Sequence, residues 1–394
     1  MTIGIVSLII AYGLSQFFRM FLSVLSPDLA LEIGTTGADL AQATSLWFLA
    51  FGLMQIPIGT WLDRFGPRKT VAGLMAVGGA GAVLVAMAQA VWHIKLAMAL
   101  IGAGCAPVMI SAYYIYARSF PPAAFAGLAG MTIGFGGLGN VAGTAPLAFA
   151  VTQWGWRGTM LGLAGLTIVL ALVVLALLRD PPRKPREPQG TLREAMALRP
   201  IWPVMAMLVA GYGPAAGLSG GWGGPYLSDT FGADAQAIGR ILLVMSSAII
   251  LGSFAAGPLE RLLGSPRRVV VAMICGSITG LLALWLAGAA PVWVITVILG
   301  LIGFCGSSFP LLMTHGKSFI PPHLTARAMT LMNLCSIGGA GVVQMLSSQV
   351  WAAADRAGHW PYGALFLFFS ATQALALVIY LRSRAPETPS KPAA

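Results

Sequence analysis

Apolar runs of roughly 20 residues, parted by short polar clusters, recur along the whole chain. Each is long enough to cross a hydrocarbon layer of about 30 Å as a helix. The pattern predicts an all-α integral membrane protein with twelve transmembrane helices. Their approximate spans are 3–25, 40–60, 70–90, 94–117, 126–150, 157–178, 200–227, 236–256, 268–289, 291–315, 327–351 and 361–381. The first run reads as helix 1 and not as a cleaved leader. No basic residue precedes it, Arg19 interrupts it, and Pro27-Asp28 stand where a small-residue cleavage site would lie.

Composition agrees with lipid as the main solvent: 57% of the residues are hydrophobic and 9% charged, with a mean hydropathy of +0.83. The basic residues then set orientation. Of the 23 Lys and Arg, all except Arg19, Lys95, Arg157, Arg240 and Arg356 fall on one alternate set of loops and on the C-terminal segment. The positive-inside rule makes that set, and both termini, cytoplasmic. This predicts a multi-pass protein of the cell inner membrane, with a net charge of +11 that suits anionic lipid headgroups and requires no nucleic acid. Cys105, Cys275, Cys305 and Cys335 lie inside apolar spans without CxxC spacing, so they read as small packing residues, with no metal or cofactor expected.

The longest polar stretch, Arg179 to Pro200, divides the spans six and six. The halves resemble each other at an offset of about 200 residues, as from Tyr12-Gly13 to Tyr212-Gly213. "VWHI" at Val91 answers "VWVI" at Val292, "SFPP" at Ser119 answers "SFIPP" at Ser318, and Cys105 answers Cys305. The expected organisation is an N-terminal bundle over 1–178, a cytoplasmic linker over 179–199, a C-terminal bundle over 200–382 and a tail over 383–394. Two six-helix repeats of like orientation imply a pseudo-twofold axis along the membrane normal, with a solute path between them.

The loop after the second span, "GTWLDRFGPRK" from Gly59 to Lys69, carries Gly59, Asp63, Arg64, Gly66, Arg68 and Lys69, and "GPLERLLGSPRR" from Gly257 is its counterpart in the second half. In these residues the chain resembles the major facilitator superfamily, whose signature between helices 2 and 3 has this order of Gly, Asp, base, Gly and further bases. The stretch Trp47 to Lys69 and the "WGWR" at Trp154 are similar to bacterial nitrate/nitrite and cyanate-type carriers. The chain departs from the family pattern at Pro67, at Met98 where many members carry an arginine, and in a helix 5 without the Gly-Pro signature of drug antiporters. The resemblance implies that Asp63 is a gating acid, pairing with Arg118 and with the start of helix 11 near Arg327 when the opposite face is open. On charge alone the stretch reads as a solvated, positive-inside turn; the order of residue types, with Gly59 and Gly66 permitting close backbone approach and Asp63 the lone acid among bases, points instead to a latch.

Glycines on helix 5 (Gly130, Gly134, Gly139, Gly143) and helix 11 (Gly338, Gly339, Gly341) offer faces on which neighbouring helices can approach. "GYGPAAGLSGGWGGPYL", Gly211 to Leu227, holds too much Gly and Pro for a regular helix. It predicts a broken segment that lines a cavity as a gate or substrate-binding segment, with Trp222 and Tyr226 as its aromatic members.

No Asp or Glu maps to the middle of a span, yet Arg19 lies about 7 Å past the midpoint of helix 1. Its repeat mate is Ser219, so the charge is not a feature of the repeat. An arginine at the bilayer centre costs about 2.5–3.5 kcal/mol on insertion scales, unless it faces a wet cavity or an anion, or snorkels to the headgroups. Other polar candidates for the solute path are Gln16, Gln55, Tyr113, Tyr114, Asn140, Tyr212, His315, Asn333 and Gln344. A cavity with fixed positive charge and no buried carboxylate should take a small organic or inorganic anion. The expected function is therefore a monomeric secondary active transporter, with an exporter of lipophilic compounds and a non-transporting receptor as alternatives. An inside-negative potential opposes anion uptake, so an importer exchanges anions or carries protons with its substrate, His315 being the candidate proton site. No nucleophile with a base, metal-ligand spacing or phosphate loop marks an enzyme.

Overall fold

The structure, a computed structural model, describes residues 2–182, 191–288 and 290–383. The parts of the expected linker and tail at 183–190 and from 384 onward lie outside the described residues. Within them the chain forms α1 (Thr2–Val24), α2 (Ser26–Ile33), α3 (Gly37–Ala86), α4 (Val91–Cys105), α5 (Pro107–Ser119), α6 (Pro122–Ala142), α7 (Ala145–Leu177) and α8 (Leu192–Ala197). The second half forms α9 (Trp202–Gly211), α10 (Gly213–Gly217), a π turn (Leu218–Trp222), α11 (Gly223–Phe231), α12 (Ala235–Leu263), α13 (Pro266–Ala287), α14 (Val292–Cys305), α15 (Phe309–Lys317), α16 (Thr325–Arg356) and α17 (Pro361–Tyr380).

Two of these helices are each two arms. Gly66 (φ 81°, ψ 162°) interrupts α3 and Gly155 (φ 68°, ψ 162°) interrupts α7. Only glycine adopts such backbone without strain, so these two residues reverse the chain between crossings 2 and 3 and between 5 and 6. With α4–α5, α6 with the first arm of α7, and α14–α15 each forming one crossing, and α9 to α11 another, the described residues form the twelve helical crossings that hydropathy predicts. The repeat is visible in the turns: Gly264 (φ 70°), followed by Pro266, closes α12 much as Gly66-Pro67 closes the first arm of α3.

The helices begin and end for local reasons. Thr36 accepts the Asp39 amide and the Asp39 carboxylate accepts the Thr36 amide, a capping box that starts α3. Asp234 caps α12 through the Ala237 amide, and Gly34 and Gly232 close α2 and α11 in left-handed conformation. Side chains such as Leu53, Ile56, Phe149, Phe254 and Leu286 stay exposed on the outside of the bundle, where acyl chains would cover them.

Several expectations change in detail. The chain from Gly59 to Phe65 is not a turn but the last part of the first arm of α3, and the reversal is confined to Gly66. A Cβ on Gly59 would meet nothing within 4 Å, so this glycine serves no close approach here. Gly130, Gly134 and Gly338 are equally open, whereas Gly139 packs on the Gly13 carbonyl and Gly339 on the backbone of Val209. The segment Gly211 to Leu227 is irregular as expected, yet it stays coiled, passing from α9 through α10 and the π turn into α11. Its irregularity is the π turn, because Pro214 and Pro225 can each open a turn without an amide hydrogen while the glycines between them tolerate the wider coil.

The two halves meet in the part of the bundle remote from the basic loops. Gly220 and Gly224, one turn apart, pack on the carbonyls of Arg19 and Ser23, also one turn apart on α1. Gly37 packs against Trp222 and Pro225, Gly239 against Ala145 and Ala148, and the Ser45 hydroxyl donates to the Gly341 carbonyl at 2.8 Å. We call this the closed end, and the other the basic end.

Candidate solute site

Arg19 is half-buried on α1, and its guanidinium carbon lies 5.0 Å from the ring centroid of Trp47, 5.6 Å from Phe51 and 5.9 Å from Phe48. Spacing of three and four residues puts those rings on one face of the first arm of α3, where Trp47 stacks on Phe51 at 5.1 Å. Desolvated cation–π contacts are worth roughly 2 kcal/mol, which offsets part of the insertion cost but leaves the donors unused. The buried Arg19 Nε has no hydrogen-bond partner among the described residues.

The other cations remote from the basic loops are partly accounted for by acids. Lys95 pairs with Asp39 at 2.8 Å, and Arg157 with Glu32 at 3.1 Å, while Arg157 also donates to the Ala86 carbonyl. Trp156 donates to the same Glu32, so "WGWR" is a turn whose last two side chains tie crossing 6 to α2. Among the described residues, Arg19 is in no ion pair.

The predicted residues divide around this cage. Gln16 lies on α1 close to one turn from Arg19, donates to Tyr12 Oη at 3.1 Å and leaves its own Oε1 unpartnered. Tyr212 reaches the cage from the other half, its ring edge-on to Phe48 at 6.4 Å. Gln55 donates to the Phe51 and Ala106 carbonyls, joining the cage helix to the break between α4 and α5. Asn140 follows the Gly139 contact with α1 and keeps a buried Oδ1 without a partner. Tyr113 and Asn333 are half-buried on α5 and α16.

Three predicted residues lie elsewhere. Trp222 is fully buried at the closed end, where its indole donates to Ser347 Oγ at 2.9 Å and packs on Trp351 and Tyr362. Tyr226 belongs to the same aromatic cluster, against Phe231, Tyr362 and Phe366. His315 packs in the core of the second half, sharing a 2.8 Å hydrogen bond with the Tyr380 hydroxyl through Nδ1, with Phe319 beside its ring. Nothing brings it to the Arg19 cage. The cage rings themselves were not foreseen, although Trp47 and Phe51 at four-residue spacing, preceding the signature, are a readable signal.

At the basic end, Asp63 is 3.8 Å from Arg118 and accepts a hydrogen bond from the Tyr114 hydroxyl at 3.2 Å, with the Arg118 guanidinium over the Tyr114 ring. The signature also draws in an acid that sequence order conceals. Asp180 accepts the Arg68 amide at 2.8 Å, and its carboxyl occupies the space where a Gly66 Cβ would stand, 2.5 Å from that point. Arg68 Nε donates to the Leu175 carbonyl. Thus Gly66 and Arg68 bind the reversal to the end of crossing 6, while Asp63 and Arg118 bridge crossings 2 and 4. Arg64 carries its charge over the Phe65 ring, and Lys69 is exposed.

Two repeats of six apolar crossings, meeting beside a cation in no ion pair, define a membrane carrier fold. Residues 8–344 match the family model of the Major Facilitator Superfamily, and the chain belongs to that family of transporters. The chain is 28% identical over 308 residues to Monocarboxylate transporter 11 of Homo sapiens, covering 71% of this chain and 60% of that one. It is 26% identical over 185 residues to the Probable sulfoacetate transporter SauU of Cupriavidus necator, covering 47% and 42%. The chain spans about half the length of the curated relatives it matches. A bacterial homologue of the human lysosomal transporter Spinster, in an inward-facing and unoccupied conformation, matches with a TM-score of 0.69 at 18% identity, over 96% of this chain and 94% of that one, a likeness of fold.

Proposed function

We propose that this protein is a secondary carrier that moves a small organic anion across the bacterial inner membrane by alternating access. The observation that carries the reading is Arg19: a cation held by three rings, with a buried unpartnered Nε and no ion pair among the described residues. An arginine fork so placed is completed by a carboxylate or sulfonate, which would accept from it bidentately. Two relatives, a monocarboxylate transporter and a probable sulfoacetate transporter, support that chemistry. A lipophilic-compound exporter is favoured less, because the aromatic surface is already occupied by the guanidinium. Titration of the purified protein with acetate, propanoate, ethanesulfonate and phosphate, beside choline and glycerol as controls, tests the reading. Saturable binding is expected for at least one organic anion and for neither control; binding of choline alone would overturn it.

In this reading the basic end is cytoplasmic and open, and the closed end is the external gate; the Asp63–Arg118 pair, lying within the first half, is then present with the outer face closed, contrary to the expectation that it forms when that face is open. Asp63 and Arg118 are gating residues, with Gly59, Arg64, Gly66, Arg68 and Lys69 supporting the hinge between crossings 2 and 3. Asp63→Asn should largely abolish transport while equilibrium anion binding stays within about tenfold, or about 1.4 kcal/mol. Normal transport by Asp63→Asn would reduce the stretch to an orientation signal. Anion exchange is the coupling favoured for uptake, since a counter-moving anion cancels the cost of about 2.3 kcal/mol per charge per 100 mV.

A further inference from the structure

Gln344 on α16 is 1% exposed, and among the described residues neither its amide oxygen nor its amide nitrogen has a partner. A buried polar group left unsatisfied costs about 1–3 kcal/mol, and an amide of this kind can both donate and accept. The neighbourhood is shaped around it. Its Oε1 fills the space beside Gly217, and its Nε2 lies 2.8 Å from the point where a Gly221 Cβ would stand. Thr44 Oγ1 is 3.0 Å from the same point, so Gln344 and Thr44 converge on one glycine of the π turn.

Thr44 lies one turn before Phe48 and Trp47, the rings that hold Arg19, and Gly220, beside Gly221, packs on the Arg19 carbonyl. The Gln344 amide therefore sits at the level of Thr44, about one helical pitch, roughly 5 Å along the helix axis, nearer the closed end than the cage. One turn further out, Ser347 takes the Trp222 indole hydrogen bond, and beyond that plug is a cavity of about 200 Å³ lined by Gly37, Leu40, Pro225, Asp229 and Trp351. Along α3 the residues Gly37, Leu40, Thr44, Trp47, Phe48 and Phe51 follow one face, and along α16 so do Trp351, Ser347 and Gln344. The α3 face runs from that cavity to the rings around Arg19, and the α16 face from it to Gln344.

We propose that Gln344 is a second substrate-binding residue, and that it selects short organic anions carrying a hydroxyl or similar hydrogen-bonding group a few atoms from the charge. This rests on the anion reading of Arg19. When the closed end separates, the amide that is sealed between Gly217 and Gly221 is freed to face the route. There it meets the polar group of a substrate whose charge is held by Arg19. A site built to pair with a hydroxyl discriminates against the analogue without one, because its own polar atoms then stay unpaired.

Binding of two matched pairs tests the proposal: propanoate against its ω-hydroxy form, and ethanesulfonate against isethionate. Wild-type protein should bind the hydroxylated member of at least one pair fivefold or more tightly. In Gln344→Leu that ratio should fall to about one with the plain anion unaffected, and Gln344→Glu should weaken all four through like charge. Gln344→Leu replaces a buried unsatisfied amide by an apolar group of similar size, so its thermal midpoint should be kept or raised. A ratio unchanged in Gln344→Leu, or no preference in the wild type, overturns the proposal. Arg19→Gln separates the two ideas: four unchanged affinities would sink the anion reading, whatever the Gln344 ratio shows.

Discussion

Replacing Gly224 by valine should abolish transport and leave a folded protein that cannot seal its closed end. A Cβ at Gly224 would fall on the Ser23 carbonyl oxygen and against the Ser26 hydroxyl, and one at Gly220 on the Arg19 carbonyl. These are backbone oxygens on a helix, which cannot rotate away as a side-chain tip can. The halves must therefore separate where they now touch. Each half keeps its own packing, since Gly224 meets α1 across the junction. In a protein whose four native cysteines are replaced, Thr44→Cys reports the outcome. Thr44 is 1% exposed, so an impermeant thiol reagent applied from the closed-end side should react slowly. Adding Gly224→Val should raise that rate at least tenfold and reduce uptake to background. Slow labelling together with normal uptake would show that the glycine contacts do not control closure.

Arg19→Gln should weaken organic-anion binding at least tenfold, equivalent to about 1.4 kcal/mol or more. Glutamine keeps an amide donor but is shorter, and it loses the charge and the planar fork. Arg19→Lys should recover only part of the affinity, because an ammonium is a compact, strongly hydrated charge that neither grips two oxygens at once nor stacks on Trp47 as a guanidinium does. Trp47→Leu provides a distinguishing control. With one ring gone the guanidinium loses orientation, so affinity should fall less than in Arg19→Gln. Undiminished binding by a well-folded Arg19→Gln protein would mean that the rings hold the arginine for packing alone.

Hydropathy made the crossings legible, since apolar length is a local property and lipid leaves a helix few alternatives. It was less able to place the reversals. Nothing in the order Gly59 to Lys69 says that Phe65 is still helical while Gly66 is not; that follows from a positive φ and from Asp180, more than a hundred positions away, filling the space at Gly66. The same limit applies to α2, whose eight residues are too short to cross a membrane and so leave no mark in a search for spans. Arg19 stood out because an arginine inside an apolar run is costly wherever it points. Its rings did not, because periodicity shows that Trp47, Phe48 and Phe51 share a face but not which helix they face. Helix 7 is irregular, as its Gly and Pro imply, but the form of the irregularity was not legible. Gly and Pro lower helix propensity, yet packing on α1 and α16 keeps the segment helical through a π turn. His315 drew attention as a titratable group in a span, and its engagement with Tyr380 depends on a helix in a distant part of the sequence.

Transport itself is the most direct measurement. The purified protein, reconstituted into liposomes preloaded with an unlabelled organic anion that it binds, should take up the same radiolabelled anion from outside. Uptake should saturate, depend on the internal anion, and fall to the level of empty liposomes with Arg19→Gln. Binding without any uptake above empty liposomes, or equal uptake by wild type and Arg19→Gln, would contradict a carrier that works through this arginine.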